Sequence, residues 1–334
     1  MMTGWDTPFE ATASDLVQKH LPVGTTELGE DVFTNAKSGE ARITICVPTW
    51  KDSADALLCS LARLPGADLC TLLVFDDGSL DSDLTSQLVR HTMRFPGPAR
   101  LISAPKNVGR SQARNRLKDL AESDWVLFLD ADMQPDDDSF LSDYLAAIET
   151  HTEPSLIAGG FSLKNILPTD ETRLHAAQSS ASECVSAEVR SESPGRYVFT
   201  SNILVHKQIL EAVRFDPGFV GWGWEDVDWG LRVASDYPVI HIDNTATHLG
   251  LDSDPKLIEK YAGSADNFAR LVERHPETMS ATPLYRMAQV LRPLPGRPVI
   301  QSAALKLAKM RSVPIKARLF GLKLYRASVY GARL

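Results

Sequence analysis

Between residues 42 and 129 the chain alternates short, β-branched apolar runs with stretches of helical periodicity, and no other feature limits its fold as strongly. "RITICVP" (42–48), "LCTLLVF" (69–75), "ARLIS" (99–103) and "WVLFL" (125–129) read as buried strands. Between them "SADALLCSLARL" (53–64), residues 81–94 and "GRSQARNRLKDLAE" (109–122) read as helices, with Leu57, Leu61 and Leu64 at helical spacing. Strands separated by helices at this interval form βα units, because parallel neighbours need a crossover connection. An α/β fold with a mostly parallel sheet follows. Ligands of such sheets bind beyond the carboxyl ends of the strands. Those ends carry Thr49-Trp50, Asp76-Asp77 and Asp130-Ala131-Asp132, so three polar clusters are expected on one edge.

The pattern loosens after residue 155. "LIAGGF" reads as a strand, "YVFTSNILVH" as a strand pair or bent strand, "EDVDWGLRVASD" as a helix and "VIHI" as a strand. Residues 254–275 read as one helix with Asp254 as N-cap and Pro255 in its first turn. Residues 1–40 are polar and weakly patterned, a loop-rich appendage in which no signal peptide is visible. No apolar run approaches the ~20 residues of a membrane-spanning helix. The four cysteines lack metal-ligand spacing. Cys46, Cys59 and Cys70 lie in apolar segments and read as reduced core thiols, which points to a cytoplasmic location. A chain of 334 residues with a net charge of −8 hides an asymmetry. Residues 278–334 hold eleven Lys/Arg and no acid, while residues 1–277 hold 24 basic and 43 acidic residues. An acidic body argues against nucleic acid as its ligand, and the basic end suggests an anionic contact.

Two stretches carry chemistry. "FLDADMQPD" ends a buried strand in Asp-x-Asp, which puts two carboxylates on one side of the chain at the sheet edge. Hard oxygen ligands on rigid backbone suit Mg²⁺ or Mn²⁺, which take their remaining ligands from phosphates; turn acids capping the next helix are the bland alternative. "FVGWGWEDVDWGLRV" (219–233) holds three of the six tryptophans together with Glu225, Asp226 and Asp228. It is either a Trp-rich helix start with capping acids or a sugar-binding surface, where indole faces meet pyranose rings and carboxylates accept their hydroxyl hydrogens.

The order "VPTW", "FDDGS", "NVGRSQARN", "LDADMQPD" resembles the nucleotide-sugar-binding half of family-2 glycosyltransferases with the GT-A fold, over roughly residues 42–275. "GWGWED" resembles the Gly-Trp-Gly-x-Glu-Asp segment of galactosyl- and N-acetylgalactosaminyltransferases. The resemblance implies a Rossmann-like sheet fused to an acceptor-binding lobe. It divides the chain into an appendage (1–40), a nucleotide-sugar half (41–160), an acceptor-binding and catalytic half (161–277) and a basic, helical extension (278–334). It further implies a UDP-sugar donor (galactose or N-acetylgalactosamine), a saccharide or lipid-linked saccharide acceptor, and Mn²⁺ or Mg²⁺ as cofactor.

Residue by residue, the resemblance sets Pro48, Thr49 and Trp50 beside uracil and ribose, and Asp77, in preference to Asp76, as acceptor of the uracil N3–H. Arg114 is expected near ribose and diphosphate. Asp130 contacts the ribose or the metal, and Asp132 coordinates the metal. His248 completes the metal shell, with His241 the weaker candidate. Asn202 and Gly223 line the sugar pocket. Asp226 is the general base of the inverting members, and Glu225, Trp222 and Trp224 hold the acceptor.

Two other readings compete. A sugar-1-phosphate nucleotidyltransferase needs a Gly-rich phosphate loop after the first strand, and "VPTWKDS" is not one; P-loop and Rossmann glycine signatures are absent as well. A non-catalytic sugar- or nucleotide-binding module needs no base, yet Asp226 and both acids of Asp-x-Asp are present. The basic end lies outside the resemblance. Its cations beside Leu, Phe and Tyr suit an anionic membrane leaflet, and equally a tail packed on the acidic body.

Overall fold

The computed structural model describes residues 21–334; the reading of residues 1–20 as loop, without a leader, lies outside the described residues. Two short strands, β1 (Gly24–Thr25) and β2 (Asp31–Thr34), precede the predicted alternation. The alternation itself runs β3 (Ile43–Thr49), α1 (Asp55–Leu61), β4 (Cys70–Asp76), α2 (Ser82–Arg94), β5 (Ala99–Ser103), α3 (Arg110–Leu120) and β6 (Trp125–Leu129). Then come β7 (Met133–Pro135), α4 (Phe140–Thr150), β8 (Leu156–Ala158), β9 (Phe161–Ser162), α5 (Arg173–Ser182), α6 (Ala187–Ser191), β10 (Asn202–His206) and α7 (Lys207–Ala212). The remainder comprises α8 (Glu225–Asp236), β11 (Val239–His241), β12 (Ala246–His248), and the helices α9 (Asp254–Gly263), α10 (Ala265–Arg274), α11 (Pro276–Ser280), α12 (Pro283–Leu291), α13 (Arg297–Lys309) and α14 (Ile315–Gly331).

The main sheet has the order β1-β2-β5-β4-β3-β6-β10-β8-β11. Its centre, β5-β4-β3-β6, is parallel, as the alternation demands. β2 and β10 flank that centre antiparallel to their neighbours. Residues 21–40, expected to be loop, therefore extend the sheet by two strands: Phe33 is buried against the core, and Glu30 binds Arg116 on α3 through a bidentate ion pair (2.6–3.2 Å). β7, β12 and β9 form a second, small sheet.

The strands alternate between two apolar layers because successive side chains point to opposite faces. Ile45, Val47, Leu72, Val74, Leu127 and Leu129 enter the layer beneath α1, α2 and α4. Cys46, Leu73, Phe75, Val126 and Phe128 enter the other, which continues through Phe215 and Trp229 of the region around α8. Burial pushes the Cys46 thiol up and that of Cys70 up to about 12, which makes both inert; Cys59, expected in the core, is exposed.

Successive βα units place β4 on one side of β3 and β6 on the other, so the chain reverses direction of winding at β3. A crevice opens at such a reversal beyond the strand ends. The register puts Thr49 level with Asp76, and Asp76 level with Ser103.

The basic C-terminal residues do not form a free tail. α14 packs along α13 and α12 and touches α5, α9 and α10. Pro314 ends the turn between α13 and α14. Arg318 is buried and ion-paired with Asp254, which sits inside the first turn of α9 with Ser253, not Asp254, at the N-cap position. The single helix expected over 254–275 breaks at Ser264, whose hydroxyl meets the Tyr330 hydroxyl of α14 at 2.6 Å. No helix among the described residues is long and apolar enough to cross a membrane.

Candidate active site

The first wall of the crevice is made by the turns after β3 and β4. The Asp77 amide donates to the Thr49 carbonyl (2.9 Å), and the Asp76 carboxylate accepts from the Ser79 amide and the Ser103 hydroxyl (both 3.1 Å). Asp76 thus latches the turn. Asp77 accepts from the amides of Val108 and Gly109 (2.8 and 3.0 Å) and ties the loop before α3 to the same turn. Burial raises the Asp77 pKa, with those two amides opposing it. Two bonds leave the carboxylate spare acceptor capacity. Gly78 is required between the loops: its φ is +70°, and a Cβ there would lie 2.2 Å from the Lys106 carbonyl carbon. Pro48 is half-buried, Thr49 is buried with its hydroxyl on the Asp52 carbonyl (2.5 Å), and Trp50 stands exposed with the Lys51 ammonium 4.6 Å from its ring centre.

The floor is a charge cluster assembled from three elements. Arg114, one turn into α3, is buried and donates to Asp130 at 2.7 Å, just past β6. Its second terminal nitrogen lies 4.0 Å from Glu225, the first residue of α8, and Arg110, one turn earlier on the same helix face, lies 3.5 Å from Glu225. Nε and Nη1 of Arg114 and Oε2 of Glu225 are sealed from solvent without a hydrogen-bond partner. Buried polar atoms rarely stay unpaired, and such atoms concentrated in one cleft point to a polar ligand. Desolvation opposes the Arg110 charge, yet Glu225, Asp130, Asp132 and Asp226 together raise its pKa.

Asp226 follows directly. Burial, then the adjacent Glu225 charge, push its carboxyl up to about 7, against the lowering influence of Arg114, the Val227 amide and Arg110. A carboxylate poised there can accept a proton near neutrality.

Asp132 and His248 meet across the cleft, Oδ2 to Nε2 at 3.2 Å, brought together by the pairing of β7 with β12. Burial works against the Asp132 charge, but the hydrogen bond and charge of His248, and Arg110 beyond it, hold its carboxyl below the usual range. Gly250 makes room for it, since a Cβ there would fall 2.0 Å from Asp132 Oδ2. His175 packs edge-on to His248 at 5.8 Å and accepts the Asp252 amide at Nδ1 (2.7 Å); burial and the neighbouring His248 push its pKa down to about 4, so it is neutral. One oxygen and one nitrogen donor fit a divalent cation that draws its other ligands from a diphosphate and water. Among the described residues no group of three His, Cys, Asp or Glu is arranged to hold a metal. Asp130, expected at the ribose or the metal, accepts from Arg114.

The lip of the cleft is the loop before α8. Gly221 and Gly223 adopt positive φ (+79° and +94°), and Trp224 is left-handed at φ 77°. A non-glycine residue in that region costs about 1–3 kcal/mol and needs outside support. Asn267 supplies part of it, donating to the carbonyls of Val220 and Gly223 (both 3.0 Å). Trp224 supplies the rest: its indole N–H donates to Tyr330 (3.2 Å) and its ring packs on Phe268. Trp222 lies 5.7 Å from Tyr261, centre to centre.

Two expected residues are not brought to this cluster. Asn202 is buried, accepting from Tyr144 (2.8 Å) and donating both amide hydrogens to the Gly160 and Asn244 carbonyls (2.9 Å each). His241 is buried between Arg190 and the Pro194 carbonyl, 3.0 Å from each, with both ring nitrogens engaged. Conversely, Arg110, His175 and Asn267 were not foreseen. Arg110 alone left a signal, being one helical turn before Arg114 in "NVGRSQARN".

Residues 44–201 match the family model "Glycosyl transferase family 2". No curated protein sequence matches the chain. Similar solved structures include the mannosyltransferase PcManGT from Pyrobaculum calidifontis in complex with GDP-Man and Mn²⁺, 14% identical, covering 87% of each chain with a TM-score of 0.51. TarS 1–349 of S. aureus in complex with UDP-GlcNAc is 16% identical, covering 85% of this chain and 89% of that one, TM-score 0.44. Glucosyl-3-phosphoglycerate synthase from Mycobacterium tuberculosis is 17% identical over 71% and 80%, TM-score 0.48. The chain carries a family-2 glycosyltransferase domain on the GT-A fold, and it is a glycosyltransferase.

Proposed function

We propose that the protein transfers galactose or N-acetylgalactosamine from a UDP-sugar to a saccharide or lipid-linked saccharide acceptor, with inversion at C1 and with Mn²⁺ or Mg²⁺. The observation that carries this reading is the convergence of Asp226, poised near neutrality, with the Arg114–Asp130–Glu225 cluster and the Asp132–His248 pair in one cleft. In this reading Asp77 accepts from uracil N3–H, while Pro48, Thr49 and Trp50 border the base and ribose. The unpaired nitrogens of Arg114 receive polar groups of ribose or diphosphate. Asp132 and His248 would hold the cation, whose chemistry there would be charge neutralisation for a nucleoside diphosphate. Glu225 and Trp222 orient the acceptor, and Trp224 keeps the loop in register from behind. Asp226 takes the proton from the acceptor hydroxyl as its oxygen attacks C1 and the bond to the diphosphate breaks.

The galactose-type donor rests on the "GWGWED" segment, and the use of a metal finds a parallel in a mannosyltransferase of this fold with GDP-Man and Mn²⁺. Calorimetric titration with UDP tests the donor and metal parts together. Binding should require Mn²⁺ or Mg²⁺ and should be lost in Asp132→Ala. Equal UDP binding in EDTA would overturn the metal-dependent reading.

A further inference from the structure

Most cations of the C-terminal segment that reach the body find an acid: Arg318 pairs with Asp254, Arg333 with Asp266 (3.0 Å), and Arg311 lies within 4 Å of Glu171 and Asp254. Arg326 does not. Its guanidinium carbon sits 4.2 Å from the ring centre of Tyr261, 4.9 Å from Trp224 and 5.3 Å from Tyr330. Its Nε donates to the Tyr330 hydroxyl at 3.1 Å. Among the described residues no carboxylate lies within 4 Å, and neither Nη is hydrogen-bonded or sealed from solvent.

The position matters as much as the missing partner. Trp224 immediately precedes Glu225, and Tyr261 packs on Trp222, so the guanidinium stands at the lip of the active-site cleft. A half-buried cation with no carboxylate in contact is costly, and aromatic faces offset only part of that cost. Stacking also fixes the plane of the fork, leaving two free N–H edges preset for a bidentate oxyanion.

We propose that Arg326, on the C-terminal helix, binds an oxyanion of the acceptor, a phosphate or a carboxylate close to the hydroxyl that receives the sugar. The assignment rests on the reading of residues 222–226 as the acceptor wall. It makes the last helix, which lies outside the family-2 domain, part of the acceptor site.

Two measurements test it. The first needs no transfer: tryptophan emission is followed while methyl phosphate, or acetate, is titrated into the full chain with UDP and Mn²⁺ already saturating. Trp224 is close enough to report an anion on Arg326. The wild type should show a saturable change, Arg326→Gln should lose it, and Arg326→Lys should keep a weaker one; the stronger of the two probes distinguishes phosphate from carboxylate. The second is the ratio of kcat/KM for methyl galactoside 6-phosphate, or methyl galacturonate, over neutral methyl galactoside, a ratio that cancels any loss of folded enzyme. It should exceed about ten in the wild type, as expected for a charge-assisted bidentate contact, and approach one in Arg326→Gln. An emission change untouched in Arg326→Gln, no change in the wild type, or a ratio of one in the wild type would overturn the proposal. Failure of the wild type to bind UDP would instead strike the donor reading, and the emission titration, repeated without UDP, would still decide Arg326.

Discussion

Asp226 and Glu225 are adjacent in sequence, yet their neighbours give them different work. Glu225 faces two arginines, while burial and the Glu225 charge press the Asp226 pKa toward about 7. The acting form of a base is the deprotonated one, so kcat/KM for the acceptor should rise with pH up to about 7 and then level off. Asp226→Asn should lower turnover by roughly 10²–10⁴-fold, retain UDP binding and remove that limb of the profile. An unchanged pH profile in the variant would reassign Asp226 to structure. The acids of this site were legible in the sequence because strand ends declare themselves by the switch from apolar run to Asp-Asp or Asp-x-Asp. Their partners were less so. Arg110 acts through a helix face that only its spacing from Arg114 hints at. Asn267 reaches the loop from 44 residues away, and nothing local marks it. Asn202 is the opposite case: an amide at a strand start looks available until the carbonyls it donates to are known.

At the scale of elements, β5 and β6 fall on the residues expected and the other strands of the parallel centre lie within one residue of expectation, because two-sided burial leaves an unbroken apolar run that ends where the backbone leaves the sheet. The C-terminal segment was legible as helix but not in its placement. Its cations suit a charged membrane surface as well as a protein surface, and only the packing distinguishes the two. The packing commits α14 to the body: Tyr330 stacks on Phe268 at 4.5 Å, and Arg318 fills a buried site against Asp254. Breaking a buried pair from one side strands a charge, so Arg318→Ala should destabilise the protein by about 3–5 kcal/mol in denaturant titration. Deletion from residue 295 should expose Phe268, Ala288 and Tyr261 and abolish cooperative folding. A truncated chain that melts like the full one would mean that α14 merely rests on the surface.

For the molecule as a whole, two apolar layers flank one sheet, and the helices from α9 to α14 build a further layer around Phe268 and Tyr330. The Arg114–Glu225 and Asp132–His248 contacts tie α8 and β12 to the ends of the parallel strands. A metal-dependent UDP-sugar transferase must turn over across that junction. The most direct measurement is UDP release from a panel of UDP-sugars, with Mn²⁺ and with EDTA, using the full chain and a mixture of neutral and anionic glycoside acceptors. Acceptor-dependent release from UDP-galactose or UDP-N-acetylgalactosamine, lost in EDTA and in Asp226→Asn, is the expected result. Undiminished release in EDTA, or release confined to a different sugar nucleotide, would contradict it.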